Sequence, residues 1–192
     1  IAQADLNRAL IKGGVGKEKK SKIISPEEKK ITAYHESGHA ILFHVLPDVG
    51  PVYTVSIIPT GNGAAGYTMP LPEKDEMFLT KGKMLQDIMV SLGGRIAEEI
   101  IFDDITTGAS SDIQHATRIA RNMVTRYGMS STLGPVLYGN EHSSDEVFLG
   151  RDYGHVDNCS EAVSSKIDSE VHRIIDEAYK RGKQILTDNI DK

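Results

Sequence analysis

A single cysteine, Cys159, in 192 residues excludes an internal disulfide and any cysteine-built metal cage. It points to a reducing compartment rather than to secretion. Positive charge is also short. The 22 lysines and arginines face 27 acids, for a formal net charge of -5, so no basic field gathers nucleic acid. The one basic run, Lys17–Lys22 (KEKKSK), is broken by Glu18 and reads as a solvated linker. No apolar stretch is long enough to span a bilayer, and the N-terminus lacks the apolar segment of a signal peptide. A phosphate-binding loop is missing too. Gly16-Lys17 resembles one, but Ile11 stands where the pattern needs glycine and Glu18 where it needs serine or threonine.

What remains is an ordinary soluble balance, 39% hydrophobic and 26% charged, with enough chain to bury a real core in one domain. The start at Ile1 instead of methionine suggests a piece of something longer. Residues 1–12 have helical spacing, and Gly13-Gly14-Val15-Gly16 breaks it, as expected for the tail of a preceding unit and a linker.

Ser25-Pro26-Glu27-Glu28 predicts a helix start: a capping serine, a proline in the first turn and a glutamate to complete a capping box. That helix should run to about Leu46, where Pro47 stops it. Val52–Ile58 is β-branched and aromatic and predicts a strand. A turn at Gly61-Asn62-Gly63 and a short return strand over Gly66–Leu71 follow. Pro70 suits an edge strand. Three more helices are expected. The first is capped by Thr80 and ends near Phe102, the second is capped by Ser110 or Ser111 and ends near Gly128, and the third covers about Ser160–Asp188. Residues 129–157 read as irregular or briefly stranded. The fold class is mainly α with a small β-sheet.

His35-Glu36-Ser37-Gly38-His39 is an H-E-x-x-H motif inside the first helix. Residues four apart share a helical face, so both imidazoles reach one Zn²⁺ at about 2.0–2.1 Å. Glu36 then points beside the metal, able to take a proton from the zinc-bound water and deliver it to the leaving amine. Two histidines and a carboxylate among apolar neighbours need partners, because unpaired buried polar groups are costly. Gly38, which costs about 1 kcal/mol in a helix interior, is better explained by close packing of another helix than by clearance for metal. A catalytic zinc wants a third protein ligand. Local reasoning leaves Glu98, Glu99 and Asp112 open, since an acid in a helix's first turn, as Asp112 would be, is also favoured by the helix dipole.

The run from Ser25 through His39, then GGRIAEE (93–99), then TTGASSDIQHATRIARNMVTRYGMS (106–130), resembles the peptidase domain of FtsH, a family of membrane-bound, ATP-dependent zinc metalloproteases. The likeness covers about residues 20–190. It implies a zincin-like helical metallopeptidase domain over 21–192, with residues 1–20 as the end of an AAA+ ATPase module and its linker. It implies His35, His39 and Asp112 as zinc ligands and Glu36 as the catalytic glutamate, with Glu98 and Glu99 near the site but not assigned to zinc. ATP and Mg²⁺ would belong to the missing ATPase domain. The partners implied are unfolded or membrane-extracted polypeptides, the AAA+ domain of the same full-length chain, and further copies in a ring, a hexamer. The setting implied is the cytoplasmic face of the cell membrane or an organellar inner membrane, reached through transmembrane segments absent from this sequence.

Two other classes fit less well. A pure assembly module has no need of Glu36, and a zinc-binding regulatory domain would want a second cysteine or a finger-spaced His/Cys pair. Among the other histidines, His115 stands near Asp112 in sequence, where a surface role is the simpler explanation. Gly66–Pro70 could border the cleft and pair with an extended polypeptide through main-chain hydrogen bonds.

Overall fold

The computed structural model describes Gly13 and residues 24–61, 63–71, 77–138 and 159–191. The expected helix over 1–12 and residues 139–157 lie outside the described residues. Helix α1 spans Pro26–Val45. Its start matches the sequence reading closely. The Ser25 hydroxyl accepts from the Glu28 N–H, and the Glu28 carboxylate accepts from the Ser25 N–H. Leu46 caps the other end in an extended conformation ahead of Pro47.

Strands β1 (Val52–Ser56) and β2 (Tyr67–Pro70) form an antiparallel pair, with Val55 opposite Thr68 and Ser56 opposite Tyr67. β1 is two residues shorter than expected because the Ile58 N–H turns back to the Ser56 hydroxyl ahead of Pro59. The register shifts between Val52 and Thr54, a bulge, and Pro70 ends β2 opposite Val52, where a missing donor is tolerated.

Helix α2 runs Lys81–Phe102 from a Thr80 cap. Asp103, at φ 51°, reverses the chain after it, a left-handed position that aspartate tolerates. A 3₁₀ turn, Thr107–Ala109, leads into α3, Ser110–Thr125. Here the capping expectation fails: neither Ser110 nor Ser111 caps α3, and Ala109 stands at its N-cap without a side-chain bond. The capping role has moved upstream to Thr106, whose hydroxyl accepts from the Gly108 N–H. α3 closes at Thr125, and Gly128 at φ 59° lets the Met129 N–H return to the Met123 carbonyl. Helix α4, Glu161–Asp188, starts from Ser160 as expected.

α2 is the hub, packed on α1, α3 and α4, while the hairpin packs on α1. Leu42, Ile88, Ile96, Met123 and Val124 are fully buried at the centre, each contributing about 1.5–3 kcal/mol of apolar transfer. From α4, Ile167, Val171, Ile174, Ala178 and Leu186 close the core. α1 and α2 run antiparallel: Lys30 and Tyr34 meet Phe102, and Asp48 meets Gln86. Their backbones nearly touch, since a Cβ on Gly38 would lie 2.3 Å from the Gly93 carbonyl oxygen and 2.7 Å from the Ala97 Cβ. The packing explanation of Gly38 holds. No helix among the described residues is long and apolar enough to cross a membrane.

Candidate metal centre

α1 turns Thr32, His35, Glu36, His39 and Leu42 inward as one stripe, the helical period acting on a chain whose next element is a packed helix. Both rings are held from behind. His35 Nδ1 is 2.7 Å from Glu98 Oε1, and His39 Nδ1 is 2.7 Å from the Val90 carbonyl oxygen. A carbonyl oxygen only accepts, so His39 Nδ1 carries the hydrogen and a neutral ring presents its Nε2 lone pair forward.

The two Nε2 atoms stand 3.1 Å apart. Asp112, in the first turn of α3, brings Oδ2 to 3.2 Å from His35 Nε2 and 3.7 Å from His39 Nε2. Donor atoms of these three residues lie within 4.8 Å of one another, the only such trio found among the described residues. Two lone pairs and a carboxylate at these distances repel unless something positive sits between them. Burial disfavours the charged His35 ring, yet the Asp112 and Glu98 carboxylates outweigh it and raise its pKa to about 9. Asp112 is shifted the other way. Burial opposes its ionisation, but the hydrogen bonds and charge of the two histidines hold it well below the usual carboxylate range. The donor set fits zinc: two imidazole nitrogens and one carboxylate, the three protein ligands of a catalytic site.

The floor under His35 is bare. A Cβ on Gly94 would lie 2.3 Å from His35 Nε2, so no other residue lets the ring sit there unmoved. Glu98, 1% exposed, stands behind the ring rather than in front of it. Its other contacts are the Thr106 N–H at 2.7 Å and the Thr106 hydroxyl at 3.2 Å. One carboxylate therefore orients His35 and pins the loop that leads to Asp112, the usual device for aiming a metal-binding imidazole. Glu99 faces away from the site toward α4, bonded to the Tyr179 hydroxyl and to Lys183. Glu36, 6% exposed, lies outside the His-His-Asp trio and accepts from the Thr68 hydroxyl at 2.8 Å. Burial raises its pKa, against the pull of Thr68 and the histidines.

His115 is exposed and bonds to Arg118, and His44 and His172 are exposed as well. His142 and His155 lie outside the described residues. Met84, Met89 and Met123 are core residues, while Tyr34 packs edge-on against Phe102. Sequence reasoning gave no role to Gly94, Val90 or Thr106, and it placed Thr68 on a strand bordering the cleft without seeing its bond to Glu36. The adjacent Gly93-Gly94 inside a helix was the available signal, since such a pair costs about 2 kcal/mol unless packing demands it.

The model of Peptidase family M41 matches residues 22–192. This chain belongs to that family. Its relatives include the ATP-dependent zinc metalloprotease FtsH 1 of Thermoanaerobacter sp. (strain X514), 51% identical over all of this chain and 31% of that one. FtsH of Veillonella parvula is 51% identical over 98% of the chain and 29% of its own length. FtsH of Bacillus subtilis is 47% identical over the whole chain and 30% of its own. The M41 chain described here therefore spans less than a third of the length of these curated relatives. It has the mainly helical fold with a small sheet that its sequence implied.

Proposed function

We propose that this M41 chain supplies the hydrolytic unit of an ATP-dependent zinc endopeptidase acting on unfolded or membrane-extracted polypeptides. The carrying observation is the convergence of two forward-facing Nε2 atoms and one carboxylate oxygen, each imidazole fixed from behind. His35, His39 and Asp112 would hold the ion. Zinc bound there would polarise the scissile carbonyl and make water a stronger nucleophile at neutral pH.

The rest of the chemistry belongs to the protein. Glu36 takes the proton of the attacking water and passes it to the departing amine. A carboxylate whose pKa burial has raised is a better base and a better acid for that exchange than an exposed one. β2 runs beside Glu36, and its pairing with an extended substrate would hold a peptide by main-chain hydrogen bonds with little sequence preference. Tyr67 and Met69 flank Thr68 on that strand. Substitutions there should weaken peptide binding, and unchanged affinity and turnover would remove the strand from the substrate site.

For the full-length protein we propose residues 1–20 as the end of an AAA+ module that uses ATP and Mg²⁺ to deliver substrate. We further propose a ring, six copies by analogy with FtsH, at the cytoplasmic face of the cell membrane or at an organellar inner membrane. The test is zinc content together with casein hydrolysis by the wild type and Glu36→Gln. One zinc per chain should persist in both, and hydrolysis should drop about 10²–10⁴-fold in the variant. Retained hydrolysis would remove Glu36 from the mechanism, and a chelator-resistant, metal-free protease would remove the metal.

A further inference from the structure

A buried carboxylate needs donors, because desolvation without compensation is costly. The donor that the structure gives the Glu36 side chain comes from the hairpin and not from α1 or α2. Thr68 Oγ1, on β2, lies 2.8 Å from Glu36 Oε2 and 3.1 Å from the Glu36 main-chain carbonyl oxygen. The second wall of the same seat is Gly66, the residue just before β2. A Cβ on Gly66 would stand 2.9 Å from Glu36 Oε1, 2.7 Å from Thr32 Cγ2 and 2.6 Å from the Ser56 carbonyl oxygen. One carboxylate oxygen is hydrogen-bonded by the strand, and the other rests against Gly66, where a side chain would not fit.

We infer that Thr68 is the positioning residue of Glu36, fixing the carboxylate against β2 and so tying the base to the strand proposed to receive substrate. The inference rests on the proposed role of Glu36. A hydroxyl both donates and accepts. Thr68 can therefore keep its hold after Glu36 has taken up a proton, by turning its own hydrogen to the main-chain carbonyl. A threonine methyl alone could do neither. The antiparallel pairing fixes where along the cleft this happens, since Thr68 sits opposite Val55 in the middle of the pair. A peptide that aligned on β2 would then meet the base at a distance set by one strand.

The experiment compares Thr68→Val with Thr68→Ser in the full-length, zinc-loaded protein. Valine keeps the shape and removes the hydroxyl, and serine keeps the hydroxyl. In the valine variant, kcat for casein-derived peptides should fall about 10- to 100-fold, the scale of a hydrogen bond to a charged group. KM should stay within about twofold, and one zinc per chain should remain. Serine should recover most of the kcat. Crystal structures should show the Glu36 carboxylate displaced from β2 in the valine variant and in place in the serine variant. If valine loses zinc, Thr68→Ala against Thr68→Ser makes the same comparison. An unchanged kcat, a rise in KM alone, or equal loss with serine and valine would overturn the positioning role. Hydrolysis surviving in Glu36→Gln would sink the assignment of the base and this inference with it, whereas a silent Thr68→Val beside a dead Glu36→Gln sinks this inference alone.

Discussion

Two buried glutamates, Glu98 and Glu170, each organise a polar cluster, and they differ in what they leave over. Glu170, on α4, accepts from the Ser130 and Thr132 hydroxyls and from the Arg173 guanidinium at both oxygens. Every group in that cluster is answered by another. Arg173 and the hydroxyls hold the Glu170 carboxyl down to a pKa of about 2, and the product is a locked turn on a helix. Glu98 is as well bonded, but it passes its order on. By fixing His35 Nδ1 and Thr106, it leaves His35 Nε2, His39 Nε2 and Asp112 Oδ2 facing one another. A structural polar cluster consumes its own valences, whereas a site collects them.

The largest test of that contrast is His39→Ala. One of the three converging groups goes, and zinc and casein hydrolysis should both be lost, hydrolysis by more than about 10³-fold. Metal analysis decides it, and full zinc retention would mean the ion sits elsewhere. Glu98→Gln should come next. The amide keeps one acceptor oxygen, so it cannot serve both His35 Nδ1 and the Thr106 N–H, which use different oxygens of Glu98. Zinc affinity should weaken about 10- to 100-fold by competition with a chromophoric chelator. An unchanged affinity would reduce Glu98 to the kind of residue Glu170 is. Glu170→Ala should do the converse. Unfolding stability should drop by about 2–3 kcal/mol in urea titrations while zinc stoichiometry holds. A loss of metal there would erase the distinction between the clusters.

The smallest effect is in pH, with opposite signs. In chelated protein, the His35 pKa is raised, so its contribution is full below about 6.5 and is lost as pH rises through about 9. The Glu170 pKa is depressed, so its contribution is full above 4.5 and is lost as pH falls through about 2. Each swing is read as the stability difference from Glu170→Gln at the acid end and from zinc-loaded protein at the alkaline end. A flat difference at either end would remove that cluster from the account.

Much of this was legible in the sequence where the information is local. The Ser25-Pro26-Glu27-Glu28 start, the Thr80 and Ser160 caps and the two-strand hairpin follow from neighbouring residues and were found as expected. So was the helical face shared by His35 and His39. What lies across the chain was not. Nothing near Glu98 or Glu99 says which of them faces His35. That depends on a helix 63 residues away, and one step of 100° round α2 sends Glu99 to Tyr179 and Lys183 instead. The α3 start was misjudged for the same reason. Ser110 and Ser111 have the right chemistry, but Glu98 already holds Thr106, and the 3₁₀ turn begins from there.

The bare patch on α2 has a practical meaning for anyone wishing to graft this motif. Copying His35 through His39 onto another helix would not carry the centre along, because half of it is an imprint on the neighbour. Gly93 and Ala97 admit the α1 backbone, Gly94 makes space for a ring, and Glu98 aims it. A donor helix without that matching mould would hold the same five letters and bind nothing.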